Sequence, residues 1–212
     1  MAVARPVTDS GIFRLIKETL ANREDIQILF YSDAYLCSTN QFLTLLGSSK
    51  HYLVNNVSIT RILSGVEGEY KVVALKADSP IRERARSTGR PVDELLWQAG
   101  CRLSRGRLLT GCSSHDIAFL VQWPNFTRVH RSPNALRIAA LWSGRPVALD
   151  VTARLLNIPL TEVYQFYSAA RLAGYVETLS RPGTNSITST AAGQLANDDG
   201  VLKRLVGRLM SL

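Results

Sequence analysis

Arginine is concentrated in one window of the chain, from Arg82 to Arg107. The seven arginines of this window are Arg82, Arg84, Arg86, Arg90, Arg102, Arg105 and Arg107. Only three carboxylates lie among them, so the window carries a net charge of +4. A local excess of arginine favours contact with phosphate, and we expect the first four arginines to contact a phosphate or another anion. The alternative is a solvated helical face whose charges form internal ion pairs.

A second set of residues with chemical potential is Cys101, Cys112 and His115. Thiolate and imidazole are zinc ligands, but structural zinc sites normally have a fourth ligand and more closely spaced pairs. The alternative is a pair of buried, unreactive thiols. We favour the alternative, and the sequence predicts no metal site.

Sequence motifs of common enzyme classes are not found. Gly47-Ser48-Ser49-Lys50 shares only the end of the phosphate-binding pattern G-x-x-x-x-G-K-[ST] and lacks its loop. The dinucleotide-binding pattern G-x-G-x-x-G and the nucleophile pattern G-x-S-x-G are also missing. We therefore expect a protein that is not an enzyme and needs no cofactor.

The composition is that of an ordinary globular protein with a basic balance. The 212 residues are 46% hydrophobic and 20% charged, and the net charge is +8. No apolar run approaches the roughly 18 residues of a membrane span, and the amino terminus lacks the apolar stretch of a signal peptide. Three cysteines without a disulfide-framework spacing fit a reducing compartment, so we expect a cytoplasmic protein with no membrane contact.

The first 130 residues alternate between helix-like and strand-like patterns. Apolar runs at 26–31 and 70–75 and a shorter run at 51–54 predict strands, while 9–23, 36–46 and 58–63 predict helices. This alternation predicts a small α/β domain with parallel strand pairing at residues 1–130, with a basic helical segment at 80–107.

Residues 26–78 weakly resemble the first half of a response-regulator receiver domain. ILFYSDAY takes the place of its first strand and acidic loop, and YKVVALKAD takes that of its third strand. In that family acidic residues at these places bind a metal ion and accept a phosphoryl group, which would fall near Asp33 and Asp78. Ser32-Asp33 replaces the acidic pair of the family, and we do not adopt phosphorylation.

From Pro133 to Gly193 the pattern changes to three short helices followed by a two-stranded hairpin. Ser132 and Pro133 begin the first helix, which ends at Gly144, and a second helix follows at 147–156. A break at 157–160 separates the second helix from a third, at 162–173, which we expect Thr161 to cap. Gly174 ends the third helix, and strands at 175–179 and 186–190 flank a turn at Pro182-Gly183.

The segment ARLLNIPLTEVYQFYSAARLAGYVE resembles the winged helix-turn-helix domains of bacterial transcriptional regulators. ITSTAAGQLA is similar to the exit from the wing in the MarR-like group, with Ser189 in place of the usual leucine. The resemblance covers residues 133–196. The overall prediction is thus a mixed α+β fold, with an α/β domain at 1–130 and a winged-helix domain at 132–212.

This resemblance implies that the third helix enters the major groove of double-stranded DNA. The residues it would place at the duplex are Arg154, Thr161, Tyr164, Gln165, Ser168, Arg171, Arg181 and Asn185. Gln165 would contact an adenine edge, Arg171 a guanine or a phosphate, and Arg181 a phosphate from the wing. The implied function is transcriptional control.

Two questions stay open at the level of sequence. Winged-helix domains also dock proteins, and the expected reading face carries few positive charges, so a non-enzymatic cytoplasmic adaptor is the alternative function. The apolar pattern of residues 198–212 is typical of a terminal helix that builds a homodimer in the resembling groups. The alternative is that this helix packs on its own domain.

Overall fold

Helices and antiparallel sheets together form the described residues, 11–31, 41–64 and 70–179, of the computed structural model. The helices are α1 (Gly11–Asn22), α2 (Ile59–Ser64), α3 (Pro80–Thr88), α4 (Val92–Ser104), α5 (Ala135–Gly144), α6 (Leu149–Leu156) and α7 (Leu160–Ala173). The strands are β1 (Asp25–Phe30), β2 (Phe42–Leu46), β3 (His51–Asn55), β4 (Tyr70–Ala74), β5 (Arg90–Pro91), β6 (Ile117–Leu120), β7 (Val147–Ala148) and β8 (Val176–Leu179). The fold is mixed α+β.

Five strands form the first sheet, in the order β4-β1-β2-β3-β5, and every pair in it is antiparallel. Burial alternates along β1, where Ile26, Ile28 and Phe30 are buried, as expected for a strand with one covered face. A four-residue turn with Lys50 at a positive φ of 56° joins β2 to β3. So short a connection permits only antiparallel pairing, and the predicted parallel pairing is therefore wrong.

Residues 42–46 form strand β2 and not the predicted helix. All five residues of β2 are buried, Thr44 included, and so short a mostly apolar segment fits a strand and a helix equally well. The receiver resemblance implies parallel strands, whereas β1 and β4 pair antiparallel. Asp78 lies exposed in the turn between β4 and α3, and Asp33 lies outside the described residues.

The second sheet has the order β7-β6-β8 and is also antiparallel. It packs with α5, α6 and α7 around a core that includes Trp142, Phe166 and Tyr167. Trp97 of α4 belongs to the same core, with its ring centroid 5.3 Å from that of Phe166. Residues 126–129, which lie between β6 and α5, form a turn.

The predicted domain boundary at residues 130–132 does not coincide with a gap in this core. Trp97, which precedes the boundary, donates its indole N–H to the carbonyl oxygen of His130, 2.8 Å away, and packs against side chains that follow it. All described residues fall within one compact unit. None of the helices in the described part of the chain is long and apolar enough to cross a membrane.

Candidate functional site

Helices α5, α6 and α7 follow one another as the sequence predicts. Asn157, at a φ of 50°, ends α6 in the left-handed conformation, and Gly174, at a φ of 77°, ends α7 in the same way. Helix α7 begins at Leu160, before the expected start at residue 162. Pro159 occupies its N-cap position and makes no side-chain hydrogen bond there. The prediction that Thr161 caps this helix is therefore wrong.

Strand β8 lies where the first wing strand is expected, but its partner among the described residues is unexpected. It pairs antiparallel with β6, from Ile117 opposite Leu179 to Leu120 opposite Val176. Strand β6 also pairs with β7 and so occupies the centre of the sheet. The second predicted wing strand, residues 186–190, lies outside the described part of the chain.

One side of α7 is apolar and packs inwards. Val163, Phe166, Tyr167 and Ala170 are all buried. The ring of Phe166 makes edge-to-face contacts with Trp97 and Trp142, at centroid distances of 5.3 and 5.4 Å. This half of the helix explains why α7 keeps its position beside α5 and α6.

The opposite side of α7 is covered by α4. A Cβ atom on Gly100 would lie 2.5 Å from the Cα atom of Ala169, so the two helix backbones are in direct contact there. Ser168 is 0% exposed, and Gln165 donates from Nε2 to the carbonyl oxygen of Cys101 at 3.1 Å. Leu172 continues this contact towards the cluster of Phe13, Leu63 and Ala99.

The α4 contact corrects the prediction for Gln165 and Ser168. Both side chains face α4, so neither can reach the edge of a base pair in this structure. Thr161 remains exposed, although its side chain lies against Gly106 in the turn that follows α4. Tyr164 is half-buried. Positions 161, 165, 168 and 172 therefore form one stripe of a helix that packs on its own chain.

Arg171 is part of a hydrogen-bonded cluster at the edge of the α4–α7 contact. Its guanidinium lies 3.3 Å from a carboxylate oxygen of Asp116 and donates to the hydroxyl of Tyr167 at 2.9 Å. Tyr167 in turn donates to Asp116 at 2.6 Å. Burial raises the pKa of Tyr167, and the hydrogen bond to Asp116 raises it further. This cluster holds one nitrogen of the Arg171 guanidinium, Nη1, against the protein, while the side chain stays 38% exposed.

The remaining predicted duplex contacts do not form one surface in the described residues. Arg154 is exposed and pairs with Asp150 one helical turn earlier, at 2.9 Å. Arg181 and Asn185 lie outside the described part of the chain.

The predicted anion contacts of residues 82–90 are mostly engaged in ion pairs. Arg82 binds the carboxylate of Asp25 at 2.7 Å, and Arg86 lies 3.9 Å from Glu83. Arg90 binds Glu94, whose side chain is only 4% exposed, at 2.6 Å. Arg84 is exposed and free of such a pair among the described residues. Except at Arg84, the alternative of internal ion pairs therefore describes this segment.

The two described cysteines are partly buried and are not paired with each other in a disulfide. Burial raises the pKa of the Cys101 thiol to about 11. Burial likewise raises the pKa of Cys112, whose sulfur accepts a hydrogen bond from Arg171 at 3.4 Å. Both thiols are thus protonated at neutral pH. Within the described ranges, no group of three or more potential ligand side chains could hold a metal ion.

A cationic cleft lies beside the α4–α7 contact. It has a volume of about 830 Å³ and is lined by α2, the second half of α4 with the turn that follows it, His130 and Gln165. Arg102, Arg105 and Arg107 all line it and are exposed. These three arginines belong to the basic window, but the sequence-based prediction of anion contacts falls on its other members, Arg82, Arg84, Arg86 and Arg90. The signal that distinguishes them is the absence of any carboxylate between Glu94 and Asp116.

Comparison with known proteins gives no match to a family model, a curated protein or a solved structure.

Proposed function

We propose that this chain is a non-enzymatic cytoplasmic adaptor. In this proposal the helix-turn-helix unit, residues 133–179, serves as a platform for another protein. The observation that supports this proposal is the contact between α4 and α7. It covers the side of α7 that would have to face a duplex, as shown by Ser168 at 0% exposure and by the Gln165 bond to Cys101.

The energy needed to uncover α7 argues against a simple opening of this contact. Moving α4 away would expose Trp97, which is 1% exposed and lies in the core of the helix-turn-helix unit. At roughly 25 cal/mol per Å² of apolar surface, exposing one tryptophan costs about 4 kcal/mol. That cost corresponds to about one molecule in a thousand in the open state, before any other contact is counted.

The charges of the helix-turn-helix unit also favour a protein partner over DNA. Four arginines and three carboxylates lie between residues 133 and 179, a net charge of only +1. Arg154 and Arg171 form ion pairs, and Arg137 donates to the carbonyl oxygen of Leu156 at 2.7 Å. Binding to DNA derives much of its affinity from cations that neutralise phosphates, and few are free here.

The outer surfaces of α5 and α6 supply candidate contacts for a protein. Leu136 on α5 is 47% exposed and Leu155 on α6 is 55% exposed. Contiguous exposed apolar patches mark sites where proteins associate, and these two leucines are the positions at which such a patch is tested below. The predicted homodimer is part of this proposal, with a second copy of the chain as the partner.

DNA binding stays the second candidate function because the order α5, α6, α7, β8 matches the winged-helix resemblance. The duplex would then be contacted by Arg154, by Thr161 and Tyr164 near the start of α7, and by Arg181 and Asn185 of the predicted wing.

Site-specific photo-crosslinking in cells separates the two candidates. We expect a crosslinker at Leu136 or Leu155 to capture one protein reproducibly, whereas a crosslinker at the exposed control position Ala21 does not. Low-salt selection of genomic DNA fragments is the parallel measurement. Fragments that are retained by the native protein and lost in Arg154→Ala would instead establish the DNA-binding function.

A further inference from the structure

The cationic cleft is the strongest unassigned feature of the described residues. Arg102 lies in the last turn of α4, Arg105 ends that helix in the left-handed conformation, and Arg107 follows it. A helix C-terminus attracts one cation, which accounts for Arg102, but Arg105 and Arg107 lie beyond that end. Three guanidinium groups thus share one cleft.

These guanidinium groups have no counter-charge in the described structure. Arg102, Arg105 and Arg107 form no ion pair with any described residue, and the lining contains no Asp or Glu. Other arginines of the same basic window, such as Arg82 and Arg90, are bound to carboxylates at 2.7 and 2.6 Å. Clustered like charges repel one another and raise the local concentration of anions, so the cleft favours an anionic ligand.

The chemistry of the lining narrows the class of anion. Guanidinium groups bind phosphate through paired, charge-assisted hydrogen bonds. Gln98 and Gln165, which carry amides, and the apolar residues Leu63 and Leu103 also line the cleft. Amides can hydrogen-bond a heterocycle or a sugar, and the leucines can cover an apolar ring. A volume of about 830 Å³ falls within the range of small-molecule sites.

We infer that this cleft binds a small phosphate ester of nucleotide size, with its phosphate held by Arg102, Arg105 and Arg107. Gln165 places the ligand beside the α4–α7 contact, because the same side chain lines the cleft and bonds to Cys101. This site is independent of the adaptor surface on α5 and α6.

Equilibrium binding of the full chain to four probes tests the inference. The probes are adenosine monophosphate, a dinucleotide, inorganic phosphate and a single-stranded oligonucleotide. We expect the mononucleotide or the dinucleotide to bind more tightly than inorganic phosphate, and the affinity to fall with added salt. Affinity that rises steadily with oligonucleotide length, without binding of the short probes, would overturn the inference in favour of a nucleic-acid strand.

Matched variants locate the binding. Each of Arg102→Gln, Arg105→Gln and Arg107→Gln should weaken nucleotide binding by at least about tenfold, and the triple variant should abolish it. The control triple variant Lys76→Gln, Arg84→Gln, Arg145→Gln removes the same charge from exposed residues outside the cleft lining and should bind as the native protein does. Equal affinity of the two triple variants, or no binding of any short phosphate ester to the native chain, would rule the site out.

A conservative variant separates electrostatics from folding. Gln98→Glu keeps the length of a cleft side chain and adds a negative charge next to the three arginines. We expect it to weaken nucleotide binding, to leave the unfolding temperature of the free protein within a few degrees of native, and to reduce the stabilisation that the nucleotide provides. Unchanged nucleotide affinity in Gln98→Glu would contradict a phosphate held by the arginines that line the cleft with Gln98.

Discussion

A Cβ atom on Gly100 of α4 would lie 2.5 Å from the Cα atom of Ala169 of α7, closer than real Cβ atoms approach their neighbours. The two helices therefore meet backbone to backbone, and only glycine fits at position 100. Ser168 and Gln165 lie on either side of this approach and are covered by it. The sequence pattern of α7 shows an apolar side and a polar side, but both sides are packed.

Gly100→Ala should destabilise the protein by about 3 kcal/mol or more, because the atoms that the new methyl group meets belong to the backbone of α7 and cannot move aside. Gly144→Ala is the matched control, since a Cβ there meets nothing within 4 Å. Chemical denaturation of both variants measures the difference. Equal stabilities would show that α4 does not approach α7 at this point.

Ser168→Ala should leave the free energy of unfolding unchanged or raise it by up to about 1 kcal/mol, because the buried hydroxyl has no hydrogen-bond partner. Thr152→Val provides the contrast: the Thr152 hydroxyl accepts the indole N–H of Trp142 at 2.8 Å. Removing this hydroxyl should lower the free energy of unfolding by about 2 kcal/mol, since the buried indole N–H of Trp142 would be left unpaired. Thermal denaturation of the two variants compares them, and a large loss in Ser168→Ala would argue against this packing.

Asp25 should make the stability of the protein depend on pH in the acidic range. Burial alone would raise the pKa of Asp25, but hydrogen bonds from Ser48 and Arg82 outweigh it and hold the pKa below its ordinary value of 3.8. The folded state therefore favours the ionised carboxylate. The stabilisation that this carboxylate contributes is complete above pH 3.8 and is lost as the pH falls through the folded-state pKa.

Urea denaturation of the native protein and of Asp25→Asn, from neutral to acidic pH, measures this effect. The native protein should be the more stable of the two near neutrality, and the difference should shrink as the pH falls below 3.8. A difference that is independent of pH would mean that the Asp25–Arg82 pair does not form.

Cys101 should react slowly with alkylating reagents in the folded protein. Burial raises its pKa from an ordinary value of 9.0 to about 11, so the reactive thiolate is about 100-fold scarcer near pH 8 than in the unfolded chain. Mass spectrometry of the alkylated Cys101 peptide, with and without denaturant, measures the ratio. Equal rates in the two states would place Cys101 at an open surface.

The elements with strong local patterns could be predicted from sequence. The order and approximate bounds of α5, α6 and α7 follow from apolar spacing, and Gly174 adopts the left-handed conformation that a helix end requires. Strand β2 could not be distinguished from a helix, because a mostly apolar segment of five residues has no period that separates the two. Antiparallel pairing of the first sheet depends on its turns and on contacts between distant strands.

The candidate site shows the same division. The excess of arginine between Arg82 and Arg107 and the absence of carboxylates just after Glu94 are properties of the sequence, but the sequence does not show that Asp25 pairs with Arg82. Arg82 and Arg90 are held by Asp25, 57 residues away, and by Glu94, four residues away, whereas Arg102, Arg105 and Arg107 line a cleft without carboxylates. The Arg82–Asp25 pair depends on a folded distance that local spacing does not encode, whereas the Arg90–Glu94 pair joins residues that are already near one another in the chain.

The sequence by itself determined the basic charge of this protein, its mixture of helices and strands, and the helix-turn-helix spacing, because each depends on residues that are near one another in the chain. Only the tertiary structure decided that α4 occupies the polar side of α7. That contact requires Gly100 and Ala169, 69 positions apart, to meet at a distance that no local pattern encodes.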